Sequence, residues 1–461
     1  MRFPLLAKAL TLAALIFVLL LALMRVQGLV GERQMRQAEV EHGVAESLAG
    51  EQTLLGPKLE MHCDEAWQHL DGEGKERHEV TDHHPIVLTA WPRRLEANVG
   101  ARIEPRYRGL FKVNGYLAKN TLDARWDGLT APAPNPEHRD AVVNCEAPVM
   151  SVGLSDARGI REASVTLDGQ AVAVLPGSEI KSASNGFHVN LANAAQTQGL
   201  HAQIVLHLAG TQRLTWVPVA EETRVHMTSD WPHPSFGGRF LPVERRVTPQ
   251  GFEAQWQVSA LASSAQQALA RDASVCGWRD EAGAEMPEGA QAGCVDAFGV
   301  GFVDPVNGYV LSDRAVKYGL LFIALTFVAV ALVEALRRLR VHPIQYLLVG
   351  CALTVFFLLL LSLSEHLPFA VAYAAAAAAC TTLLAFYGAY LLHGAKPGLL
   401  FGAGIGLLYG ALYAVLQMEQ AAMVLGSVLL FAVLAATMIA TRRIDWYELA
   451  GDLRASAAGG R

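Results

Sequence analysis

The sequence predicts a membrane protein: an α-helical bundle of six transmembrane spans carrying a large, mainly-β extracytoplasmic domain. Three observations predict it. Of 461 residues, 52% are apolar and 17% charged, against roughly 25% charged in an average soluble domain. Apolar runs long enough to cross a bilayer occur once near the start and five times after residue 317. Between them, residues 28–316 change to a hydrophobic period of two. The apolar content excludes a disordered chain. With 37 basic residues dispersed among 43 acidic ones, no basic footprint exists, and no nucleic-acid partner is expected.

A helix needs about 20 mostly apolar residues to cross the hydrocarbon layer. The first such run is Leu5–Met24, interrupted by Lys8, whose amine can snorkel to the headgroups. The others are Tyr318–Leu336, Ile344–Ser364, Leu367–Leu392, Gly398–Met418 and Gln420–Thr441. Only helices explain them, because lipid offers no partner to a free backbone amide. The connections after the second and fourth spans carry Arg337, Arg338, Arg340 and Lys396, and the tail carries Arg442 and Arg443. The alternate connections, Glu365–His366 and Glu419, have no Lys or Arg. The positive-inside rule therefore places both termini in the cytoplasm and residues 28–316 outside. The division is 1–27 anchor, 28–316 extracytoplasmic domain, 317–441 five-helix bundle and 442–461 cytoplasmic tail. The first run exceeds a signal-peptide core and no A-x-A-like site follows, so an uncleaved anchor is expected.

The domain opens with Gly31–Leu55, rich in Glu, Gln, Arg and Ala, which reads as a helix continuing off the anchor. Ser164–Leu167, Asp168-Gly169 and Gln170–Val174 form a hairpin signature of type I′. Asp127-Gly128 is a second candidate turn. Strands are expected at His84–Ala90, Leu110–Leu117, Gln203–Leu208, Arg224–Met227 and Phe252–Ser259, a spacing that suggests a sandwich. Ser263–Ala292 reads as helix plus long loop.

Cys63, Cys145, Cys276 and Cys294 lie in this domain, and Cys351 and Cys380 lie in spans. An oxidising compartment permits disulfides among the first four. Four cysteines allow three connectivities, and the Cys276–Cys294 pair is favoured by the Gly- and Pro-containing loop between them, whose closure contributes about 3 kcal/mol in the chain-entropy model; the alternative is four free thiols. His62, His69, His83 and His84 crowd an acidic segment with Cys63, Asp64 and His78. These are Zn or Cu ligand types. The spacings match no closed tetrahedral motif, and Gly72 and Gly74 favour a solvated polar loop over a metal site. No cofactor is expected.

Gly402-Ala-Gly404-Ile-Gly406 imitates a phosphate-binding loop but sits inside a span and follows no strand, so that reading fails. Gly402, Gly406 and Gly410 share one helix face, which suits close packing against Ala374–Ala379 or Gly388 of the preceding span. The mid-span regions contain no Asp, Glu, Lys, Arg or His, which argues against a proton-coupled pump. Glu334 pairs by spacing with Arg338. Glu365 and His366 form the main polar pair at the outer turn. No catalytic set is identifiable.

Val341-His-Pro-Ile-Gln-Tyr-Leu-Leu-Val-Gly350 and Leu359-Leu-Leu-Ser-Leu-Ser-Glu-His366 strongly resemble the CreD family of inner-membrane proteins. So do Trp231-Pro-His-Pro-Ser-Phe-Gly-Gly-Arg-Phe-Leu-Pro242, Arg108-Gly-Leu-Phe-Lys-Val113 and Thr441-Arg-Arg-Ile-Asp-Trp-Tyr447. After Gly56-Pro57 the sequence departs from that pattern, with Glu60-Met-His-Cys63 in place of a proline-aromatic step, which leaves the domain's first strand unassigned. The resemblance implies a bacterial inner-membrane protein associated with cell-envelope integrity, whose production is linked to a two-component sensor system. It implies no catalytic residue or ligand. The resulting expectation is a non-enzymatic envelope protein whose partners are the lipid bilayer and other envelope proteins or cell-wall components. The alternative is a transporter or membrane-embedded enzyme using the helix bundle.

Overall fold

The computed structural model describes residues 4–71, 78–127, 138, 140–191, 199–275, 294–302, 304, 308–337 and 341–417, with isolated positions beyond. Two compact units divide the chain: Glu39–Pro305, and Met1–Ala38 together with Val306–Arg461.

The first helix, α1 (Pro4–Ser47), has 44 residues. At 1.5 Å per residue it is about 66 Å long, roughly twice the hydrocarbon thickness. It ends earlier than the composition of Gly31–Leu55 suggests. Gln52, Leu54 and Leu55 are buried in a sheet instead, and tertiary burial there overrides local helix propensity.

The β unit has seventeen strands among its described residues, numbered in chain order. One sheet runs in space β14 (Ser235–Gly238), β17 (Phe298–Gly301), β12 (Arg213–Trp216), β1 (Gln52–Asp71), β6 (Val149–Leu154), β10 (Gly186–Asn190) and β9 (Leu175–Pro176). To β1 are also paired β2 (His78–Ala90) and β5 (Val142–Cys145). The second sheet runs β15 (Glu244–Thr248), β16 (Gly251–Ser259), β13 (Glu222–Ser229), β3 (Arg94–Arg108), β4 (Phe111–Trp126), β11 (Leu200–Thr211), β7 (Ile160–Leu167) and β8 (Gln170–Val172). Alternate side chains of both sheets bury in one cluster, as in a two-sheet sandwich. Its aromatic centre sets Trp216 6.2 Å from Trp256, and Trp256 5.8 Å from Phe298, between ring centroids.

All five strand segments expected from the period-two pattern fall in strands, except that Leu110 lies in the turn before β4. The Asp168-Gly169 hairpin joins β7 to β8 with both turn residues at positive φ, 48° and 83°, as a type I′ turn requires. The second candidate turn, Asp127-Gly128, falls at the edge of the described residues. Both edges of β4 are taken, by β3 up to Arg125 and by β11 up to Trp126, and Gly128 lies outside the described residues. The strand left unassigned after Gly56-Pro57 is β1 itself, the centre of its sheet. The histidine-rich segment is a hairpin, not a loop: β1 pairs β2 from Leu59↔Ala90 to Asp71↔His78. Alternation explains it, since Cys63 and Glu65 turn inward while their neighbours are more exposed. Of Ser263–Ala292, only a short helix, α2 (Ala265–Leu269), and the residues through Val275 are described.

The helix unit contains α3 (Gly308–Lys317), α4 (Gly319–Arg337), α5 (Pro343–Ser364), α6 (Phe369–Leu391) and α7 (Ala395–Gln417), together with the start of α1. Among the described residues four helices are long and apolar enough to cross a membrane, or five if α3 and α4, bent by 44°, make one span. The expected sixth span, Gln420–Thr441, lies largely outside the described residues. The start of α5 is well specified. His342 caps it by accepting from the Ile344 N–H at 3.3 Å, Pro343 supplies a fixed φ, and Gln345 Oε1 accepts from the His342 N–H at 2.9 Å.

Candidate functional site

Within the β unit the stem of α1 is bolted to the sandwich. Asp156 Oδ2 accepts from the Gly50 N–H at 3.1 Å, and Arg158 binds the Asp156 carboxylate and donates to the Glu46 carbonyl. Gln52 Nε2 donates to the Asp156 carbonyl at 3.0 Å, Thr211 Oγ1 to the Ala49 carbonyl at 3.1 Å, and Gln212 Nε2 to Glu41 Oε2 at 2.9 Å. The Arg158 guanidinium, with the N–H groups of Gly50 and Arg158, holds the Asp156 carboxyl down at about 2. These bonds satisfy backbone groups that the end of a helix leaves open. Their arrangement ties the end of α1 to the sandwich.

The histidines distribute over separate carboxylates on the β1–β2 ribbon. His83 Nδ1 lies 2.6 Å from Asp64, His69 3.4 Å from Asp82, and His62 3.6 Å from Glu60. His84 and His138 flank buried Glu65 at 3.9 and 3.5 Å, and His138 stacks on Trp67 at 3.8 Å. Glu65 also accepts from the His138 N–H at 3.0 Å. Among the described residues no three His, Cys, Asp or Glu side chains are placed to hold a metal ion. Cys63 is disulfide-bonded to Cys145 across the β1–β5 register. Cys294 is disulfide-bonded, and Cys276, the partner expected for it, lies outside the described residues.

A further polar centre was invisible to spacing arguments. Buried Asp296 receives Ser264 N–H at 2.9 Å, Ser264 Oγ at 3.1 Å, Ser263 Oγ at 3.2 Å and Arg239 Nε at 3.0 Å. Burial pushes its carboxyl up, but these donors and the Arg239 charge outweigh it, leaving a net downward shift. Arg239 belongs to the Trp231–Pro242 string, so this part of the string is structural.

In the helix unit, Glu365 pairs with Arg33 of α1 at 3.2 Å rather than with His366, which is exposed in the same turn. Tyr346 Oη donates to Glu334 at 2.8 Å and the Val341 N–H donates to it at 3.1 Å, while Arg338, its partner by spacing, lies outside the described residues. A ladder of uncharged groups crosses the middle of the bundle. Tyr373 Oη donates to the Tyr409 carbonyl at 2.7 Å, Tyr409 Oη to Cys380 Sγ at 3.2 Å, and Cys380 Sγ to the Ala352 carbonyl at 3.4 Å. Tyrosine and cysteine pass as apolar in a hydropathy count, which hid the ladder.

The glycine face divides in two. A Cβ on Gly402 would collide with Ala385, and one on Gly398 with Ala389, so α6 and α7 touch backbone to backbone there. A Cβ on Gly406 would meet only Thr381 Cγ2 at 3.6 Å, and one on Gly410 nothing. Those two glycines line an apolar groove of about 540 Å³ with Ala374, Tyr373 and Tyr413. Ala374–Ala379 and the lower glycines are thus separated by the groove, and close packing sits at the other end of the face.

An apolar helical unit interrupted between its first and second helices by a β sandwich defines a class, the membrane protein with a large inserted β domain. The chain belongs to the CreD family: residues 4–447 match the family described as "Inner membrane protein CreD". It is 31% identical over 450 residues to the inner membrane protein CreD of Escherichia coli (strain K12), a match covering 97% of this chain and 95% of that protein. This chain is accordingly a CreD-like inner membrane protein.

Proposed function

We propose that this protein supports cell-envelope integrity as a non-enzymatic element, its β sandwich held in the periplasm close to the inner membrane by spans on either side. Both termini lie in the cytoplasm on this reading, because the basic connections alternate with uncharged or acidic ones. The observation that carries the proposal is the bolted junction of α1 with the sandwich, centred on Asp156 and Gly50. A domain that worked independently of the membrane would need only a loose tether, whereas this one continues a helix of 44 residues without a break. Alkaline phosphatase fused after residue 200 should be active, and fused after Arg340 inactive; the reverse pattern defeats the topology. In a host deleted for the protein, sensitivity to detergent and osmotic shock should rise. The full chain should restore tolerance, and a β unit released from its spans should not. Restoration by the released unit would defeat the tethering argument.

A further inference from the structure

The β3–β4 hairpin extends well past its sheet. Pairing of β3 with β13 stops at Ala101↔Ser229, and pairing of β4 with β11 stops at Gly115↔Thr211. Yet β3 and β4 continue to pair to Arg108↔Phe111. The pairs from Pro105↔Asn114 outward have no third strand beside them among the described residues, so a two-stranded tongue projects from the sandwich. Gly109, at φ 62°, supplies the positive φ needed at the first of two turn residues in a tight hairpin. The tip carries two large side chains into solvent, Tyr107 at 70% exposure and Leu110 at 53%. Isolated apolar side chains at a hairpin tip gain nothing from the sandwich core, and a two-stranded ribbon is itself only marginally stable in water.

The tongue lies at the end of the β unit from which the chain departs. Lys112 Nζ pairs with Asp304 at 3.2 Å, and Asn114 Nδ2 donates to the Phe302 carbonyl at 2.8 Å. Asp304 stands four residues before Gly308, where the helices that follow the sandwich begin with α3. The other exit is beside it too: the Arg108 guanidinium packs on Gly43 of α1. The opposite end of the same sheet closes with the polar Asp168-Gly169 turn. Charge completes the pattern. Glu104 offsets Arg106 and Asp304 offsets Lys112. Arg102 and Arg108 have no carboxylate at ion-pair distance among the described residues, and both are exposed.

We propose that this tongue is a lipid-contacting foot, with Tyr107 and Leu110 seated in the headgroup layer and Arg102 and Arg108 on the phosphates of anionic phospholipids. Tyrosine is suited to that layer because its ring is apolar and its hydroxyl is wet. Arginine is suited because its planar fork matches phosphate oxygens and the leaflet potential attracts it. The inference rests on the membrane-tethered reading above but not on which side of the membrane the domain occupies.

The test uses the full chain in nanodiscs, whose two leaflets are alike, so its outcome is separate from that of the phosphatase fusions. A nitrobenzoxadiazole label is placed at Leu110→Cys in a Cys351→Ser background, with Gln170→Cys as the distant control. In phosphatidylglycerol-containing discs the label at position 110 should shift to the blue and be quenched by lipids spin-labelled near the headgroup, while the control stays solvent-like. Replacing phosphatidylglycerol by phosphatidylcholine, or combining Arg102→Gln with Arg108→Gln, should reduce the quenching at least twofold. A solvent-like, unquenched label at 110 overturns the proposal, and so does a blue-shifted label that lipid cannot quench, which would mark a protein contact. Quenching that is indifferent to lipid charge and to the double variant overturns the recognition of anionic phosphates.

Discussion

The carboxylate of Asp156 and the backbone N–H of Gly50 meet at 3.1 Å across 106 residues of sequence. Gly50 follows the end of α1, and Asp156 caps a short 3-10 turn that precedes β7 by accepting from the Arg158 N–H at 3.0 Å. One side chain therefore closes two backbone ends at once, which neither a helix nor a strand can do from its own ladder.

That arrangement gives a pH dependence with a definite sign. The folded carboxyl titrates at about 2, below the ordinary Asp value of about 3.9. Its contribution is complete above the unfolded value and is lost as pH falls from about 4 toward 2. Asp156→Asn should lower the thermal midpoint of the detergent-purified chain at pH 7 by a few degrees, equivalent to about 1 kcal/mol. Parent and variant should converge below about pH 2. A constant gap between them across this window would show that the charge is not what Asp156 contributes.

At Asp296, four donors converge on one buried carboxylate. Asp296→Ala leaves Arg239 and the Ser264 N–H without their acceptor and should cost about 3 kcal/mol. Tryptophan fluorescence during urea unfolding measures it, because Phe298 next to this site packs on Trp216 and Trp256. A midpoint equal to the parent's would refute the account.

The helix unit should discriminate between two glycines of one face. Gly402→Leu drives a branched side chain into Ala385 and should force α6 and α7 apart, whereas Gly406→Leu fills the groove and should melt near the parent. Thermal unfolding of both variants in detergent decides it. Equal losses at both positions would mean that the groove is closed in the membrane.

Peptide mapping without reduction should recover Cys63 joined to Cys145 and Cys294 in a second bridge, for which Cys276 is the expected partner. Free, alkylatable Cys63 after oxidative purification would contradict the first. In the chain-entropy model, closing a loop of this size is worth about 4 kcal/mol, so the Cys145→Ser variant should expose the β1–β2 ribbon to protease at lower denaturant.

The described long helices, the sandwich and most of the expected strand positions are readable because they rest on periodicity, which is local. Leu5–Met24 and Ile344–Ser364 announce themselves by run length, and Phe252–Ser259 by alternation. The stem's end was misread because the Gly31–Leu55 composition suits a helix while the burial of Leu54 and Leu55 is decided by strands that come much later. The histidine segment reads as a loop for a related reason: exposed strands of a ribbon are as polar as loops. Asp156, Asp296 and the Tyr373–Tyr409–Cys380 ladder left no signal. Each is a convergence of distant residues, and single-sequence spacing carries no information on convergence.

The position of β17 sets the order in which the domain can be finished. Phe298–Gly301 is inserted between β12 and β14, and Phe298 closes the aromatic centre around Trp216 and Trp256. Until the ribosome has passed residue 301, the first sheet is split and its apolar interior has no lid. Only six residues separate that strand from Gly308 and the helices that follow. The last strand of the sandwich and the first of the helices that follow are thus made almost together during synthesis. A nascent chain stalled just before Phe298 would hold an almost whole domain that still lacks its last strand.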